Sequence, residues 1–154
     1  MRFVTAVALA AGMLWVPVDG VAQIDPMVGL TTVDAVVNVT WDERISGMSE
    51  SNFTRQLEDA FRLGVMRTGV RLDQSAPNYL QCSIVLQFNT RGTTIAAAYE
   101  VRLREFVTYK GQRQMAVTWS KLGVYIVGGS NLDPEYDGRE CAETFELAWR
   151  SANN

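Results

Sequence analysis

The chain has 154 residues, 47% hydrophobic and 20% charged, with 14 basic residues, 17 acidic ones and no histidine. A net charge of −3 gives no reason to expect nucleic acid or an anionic membrane as a general partner. Without histidine the chain cannot build a Ser-His-Asp triad, a Cys-His pair or a histidine zinc site.

Residues 1–22 read as a cleavable export signal, leaving residues 23–154 as one domain. Arg2 supplies the positive start, an apolar run to Val16 follows, and Gly20, Val21 and Ala22 are small enough for a cleavage site. Gln23, Ile24 and Asp25 follow the cut, so no cysteine is placed there for lipid attachment. The mature chain carries no apolar run of transmembrane length. These features predict a periplasmic or secreted protein with neither a membrane span nor a lipid anchor.

Residues 31–41, rich in β-branched side chains, predict a first strand ending at the turn-prone Asp42-Glu43-Arg44. Ser49 is a candidate N-cap and Gly69 a candidate stop for a helix with Phe53, Leu57, Ala60, Phe61 and Gly64 on one face. Glu58 and Arg62 are spaced for an i,i+4 pair, and Gly64 on the apolar stripe predicts close packing on a sheet.

Strict alternation at Leu80, Cys82, Ile84, Leu86 and Phe88 gives the clearest strand. After a turn at Arg91-Gly92 the alternation resumes at Ile95, Ala97, Tyr99, Val101 and Leu103. Matching the two apolar faces sets Phe88 opposite Ile95, Ile84 opposite Tyr99 and Cys82 opposite Val101. A second hairpin turns at Lys110-Gly111 into a strand with Met115, Val117 and Trp119. Phe106 is out of phase with Leu103, so a bulge at Arg104-Glu105 would set Phe106 beside Met115 and Leu103 beside Val117. A second change of phase at Lys121-Leu122 predicts another bulge or bend, with Leu122, Val124 and Ile126 continuing the core face.

Asp133 and Pro134 suit the cap and first position of a final helix that places Cys141, Phe145, Ala148, Trp149 and Ala152 on one face. The order β-α-β-β-β-α predicts an α+β two-layer sandwich, with a mostly antiparallel four-stranded sheet and both helices packed on one face.

Cys82 and Cys141 then both face the core, and an oxidising destination makes a disulfide between sheet and helix the expected state. Arg102, Arg104, Lys110 and Arg113 gather around the second hairpin and Arg91 lies at the tip of the first. They are candidate anion-binding residues, although a solvated sheet face would look the same. Residues 133–138 resemble the start of a calcium loop, but Thr144 stands where the bidentate glutamate is needed, so no metal is expected. No pair of carboxylates stands out for glycoside hydrolysis, and no Gly-rich phosphate loop or nucleophile elbow is present. Catalysis and a cofactor are not expected.

Residues 57–127 resemble the LptE-like lipopolysaccharide-assembly family. The likeness is a helix ending in Arg67-Thr68-Gly69-Val70, then Ala76-Pro77-Asn78-Tyr79-Leu80 opening a strand, then Ala98-Tyr99-Glu100-Val101 entering a long hairpin closed by Lys110-Gly111. The resemblance implies an exported, non-catalytic envelope accessory protein that docks on an outer-membrane protein and contacts an anionic glycolipid. The absent lipid-attachment cysteine departs from that family. The alternative expectation is a free periplasmic or secreted module holding a small ligand between sheet and helices.

Overall fold

A computed structural model describes residues 25–92, 94–128 and 131–154; the expected signal peptide lies outside them. The elements run β1 (Thr32–Thr40), α1 (Glu50–Arg67), β2 (Arg71–Leu72), β3 (Tyr79–Phe88), β4 (Thr94–Tyr109), β5 (Gln112–Gly128) and α2 (Pro134–Asn153). Ser49 caps α1 by accepting from the Asn52 amide at 3.3 Å, and Asp133 caps α2 by accepting from the Tyr136 amide at 2.9 Å. Glu58 and Arg62 pair at 3.4 Å, as their spacing predicts. None of the described helices is long and apolar enough to cross a membrane.

The sheet differs from the expected one. It has five strands in the order β2-β1-β3-β4-β5 and is mixed: β1 runs parallel to both β2 and β3, while β3, β4 and β5 are antiparallel neighbours. The cause is α1, which carries the chain back along the sheet before β3 begins, so the strands on either side of it point the same way. Strand β2 has two residues, paired with Thr32 and Val33, too few to show any periodicity.

The β3–β4 register is the expected one, with Phe88 opposite Ile95, Ile84 opposite Tyr99 and Cys82 opposite Val101. In the second hairpin Phe106 does face Met115, but Leu103 faces Trp119 and Arg104 faces Val117. The extra residue is therefore Thr118 on β5, not one at Arg104-Glu105 on β4. No second shift occurs: β5 runs straight through Lys121-Leu122. Leu122, Val124 and Ile126 consequently face away from the helices and stay 69%, 68% and 75% exposed. Gly123, Tyr125 and Val127 take the inner face, where Gly123 leaves room for the Tyr99 ring that a Cβ would strike.

Both helices cover this inner face. Phe53, Leu57, Phe61 and Val65 of α1, with Cys141, Ala142 and Phe145 of α2, pack on Val33, Ala35, Leu80, Ile84, Leu86, Ile95, Val101 and Leu103, all buried. Gly64 does pack closely, but on Ala142 of α2 rather than on the sheet. Cys82 and Cys141 are bonded, tying β3 to α2 across this core. Such a bond forms and persists in oxidising compartments.

Candidate functional site: a bare β-ribbon

Past the Tyr79–Arg104 pair, β4 has no partner except β5 among the described residues. The two strands run on as a ribbon to Tyr109–Gln112, five residues of β4 beyond the sheet, or about 17 Å. Lys110 and Gly111 close it with φ of 50° and 77°, the pairing of positive angles that matches the twist of a hairpin. No residue of this ribbon enters the core. At its base, the turn at Asp25, Pro26 and Val28 lines a shallow hollow together with Glu105, Val107 and Val117.

The Thr118 bulge decides what the ribbon displays. It puts Val117 on the face shared with Arg104, and alternation adds Phe106, Met115 and Arg113 to that face, opposite the helices. Phe106 is 45% exposed and Val117 49%, and the Arg113 guanidinium lies 4.2 Å from the Phe106 ring centroid. At the tip the Lys110 ammonium lies over the exposed Tyr109 ring. Arg104 has a buried Nε without a hydrogen-bond partner.

The five candidate anion-binding residues therefore divide. Lys110 and Arg113 share the ribbon, and Arg104 is the last β4 residue before it, paired with both Tyr79 and Val117. Arg102 stands at its base and is bonded to Glu100, whose carboxyl is held below its usual range chiefly by that bond. Arg91 belongs to the hairpin at the opposite end of the 16-residue β4, about 50 Å from Lys110. Arg91 cannot share a compact site with the others.

Sequence reasoning missed the exposed aromatic and aliphatic partners of these cations, because it read apolar residues as core. It also missed a 670 Å³ groove between α1 and α2, lined by Arg55, Arg67 and Arg139 together with Asp59 and Glu135. With both signs present, that groove makes no single-sign field. The space between sheet and helices, expected in the alternative reading to hold a ligand, is filled by the aromatic and aliphatic core.

Asp137, inside the segment 133–138, has a place in the core that its sequence context does not reveal. It is buried at 4% exposure and accepts from the Tyr125 hydroxyl, which joins α2 to β5. Burial pushes its carboxyl up to about 6, against the Tyr125 bond, and the charges of Asp133 and Glu140 push the same way as burial. The fold then holds a proton that the unfolded chain releases near pH 4, at about the ordinary aspartate value. This stabilisation is complete below about pH 4 and is lost as pH rises through about 6. Asp137→Asn should accordingly flatten the fall in stability between those values in urea titrations. A difference between variant and parent that does not change with pH would refute the assignment.

No family model matches the chain, and no curated protein matches it. Among solved structures it is similar to PelC from Paraburkholderia phytofirmans, solved as a dodecamer, at 15% identity over 81% of this chain and 93% of that one, with a TM-score of 0.48. It is also similar to a minor lipoprotein from Acinetobacter baumannii, at 8% identity over 80% of this chain and 93% of that one, with a TM-score of 0.36.

Proposed function

We propose that the protein is an exported, non-catalytic accessory factor of the cell envelope that docks through the β4–β5 ribbon on a membrane-protein partner. The ribbon carries this reading. A two-stranded ribbon with nothing behind it is marginal in water, yet this one exposes Phe106, Tyr109 and Val117 beside Arg104, Lys110 and Arg113. Aromatics and arginines are the residues that concentrate binding energy in interfaces. Export is supported by the Cys82–Cys141 bond and the reading of residues 1–22 as a signal. The cations suit the anionic head of a glycolipid at the same membrane surface.

Photo-crosslinkers at positions 106 and 109 should capture one envelope protein in intact cells, and a crosslinker at half-exposed position 58 of α1 should not. The double change Lys110→Ser, Arg113→Ser should lower that yield on the order of 10-fold, a loss of about 1.4 kcal/mol, with the melting temperature unchanged. Equal capture from position 58, or a protein that stays free of the membrane fraction, would sink the reading. Phosphatidylglycerol vesicles compared with phosphatidylcholine vesicles test the anionic contact by itself.

A further inference from the structure

The two edges of the sheet are treated differently. On one side β2 covers the start of β1, and Arg62 of α1 donates to the Ala35 carbonyl at 3.1 Å, which blunts that edge. On the other side β5 is a 17-residue strand that pairs with β4 alone, so its outer row of amides and carbonyls is unmatched by any other described strand. Exposed edges of this length usually carry charges or prolines that discourage pairing. β5 does carry Arg113 and Lys121, but its last seven residues, 122–128, Leu-Gly-Val-Tyr-Ile-Val-Gly, carry neither charge nor proline.

We propose that β5 is a pairing edge for a second copy of this chain, joined antiparallel about a two-fold axis at Val124. The occupant follows from the segment itself. Reversed about Val124, it sets Leu122 against Ile126, Gly123 against Tyr125 and Val124 against Val124, so over residues 122–126 each branched aliphatic meets another and the small residue meets the large one, with Lys121 opposite Val127 at the margin. No charge opposes another within that match. Leu122, Val124 and Ile126, each more than two-thirds exposed, would form one stripe with their counterparts across the junction. The ribbon lies beyond the paired stretch, so this pairing does not depend on the docking reading.

An interface of one strand per copy falls below the roughly 800 Å² per partner of standard complexes, so the dimer should be of micromolar strength and visible as a concentration dependence. Sedimentation velocity on the oxidised protein, between about 1 μM and about 1 mM, should move from monomer to dimer. Val124→Lys sets two ammonium groups against each other and should weaken association on the order of 100-fold. Its melting temperature should be unchanged, because position 124 is exposed. Val124→Cys should oxidise to a covalent dimer. Leu122→Cys should crosslink to Ile126→Cys when the two are mixed, each far better than to itself. Val85→Cys, on the same open face but in β3, is the control and should stay monomeric. A monomer throughout, an assembly larger than two, or crosslinking at position 85 equal to that at 124 would overturn the proposal.

Discussion

Replacing Cys82 and Cys141 together with alanine is expected to lower the free energy of unfolding by about 4 kcal/mol, the loop-entropy value for two residues 59 apart. Against a domain stability of about 5–15 kcal/mol, that is a loss large enough to leave the fold marginal at body temperature. The location adds to the effect. Helix α2 packs chiefly on α1, and its ties to the sheet are few: the disulfide to β3, the Tyr125–Asp137 bond, the Tyr99–Thr144 hydroxyl contact, the Tyr125–Tyr136 ring contact and the buried Phe145. Cutting the covalent tie leaves only noncovalent contacts, those of Asp137, Tyr136, Thr144 and Phe145 among them, to hold α2 over the sheet. Urea unfolding of parent and double variant, read by circular dichroism, measures the difference. A loss below about 1 kcal/mol would show that the cross-link constrains the unfolded chain far less than its span implies.

Much of this arrangement is legible from residue order, for identifiable reasons. The pairing of β3 with β4 follows from ten residues of strict alternation on each strand, because a slip of one residue would turn every apolar side chain outward. From that register and the helical spacing around Cys141, the disulfide follows as well. The caps at Ser49 and Asp133 are local chemistry and need no tertiary information. What fails is the inference from apolar to buried. Leu122, Val124 and Ile126 alternate like a core strand, but their neighbours Gly123, Tyr125 and Val127 are apolar too, and the straight pairing with β4 after Thr118 turns the second set inward, with Gly123 beneath the Tyr99 ring. That same error hides the ribbon. Its bulge was assigned to β4, whereas Thr118 of β5 supplies the extra residue and its hydroxyl bonds the Leu103 carbonyl at 3.4 Å. The parallel place of β1 was lost for another reason: strand direction depends on where α1 returns the chain, and no residue of β1 records it.

Gly138→Ala should destabilise the protein by about 2 kcal/mol although it improves helix propensity. In an exposed helix interior, alanine for glycine gains about 1 kcal/mol. At Gly138 the new Cβ would stand 2.5 Å from the Leu57 carbonyl oxygen, 2.8 Å from the Ala60 Cβ and 3.0 Å from the Phe61 nitrogen. Two of these three atoms are backbone of α1 and cannot rotate aside, so the helices must separate, and overpacking of this kind costs about 1–3 kcal/mol or more. Separation would also disturb the buried Asp137 next to it and the bonded Cys141 one turn on. Gly64 provides the comparison that isolates the cause. A Cβ there would strike the side chain of Ala142, so Gly64→Ala should destabilise in the same way, and the companion change Ala142→Gly should restore most of the loss by returning the space. Ala60→Gly should rescue Gly138→Ala only in part, since the Leu57 and Phe61 backbone contacts remain. Thermal and urea unfolding of the four variants decide the matter. A gain in stability from Gly138→Ala alone would mean that propensity outweighs packing where α1 and α2 cross.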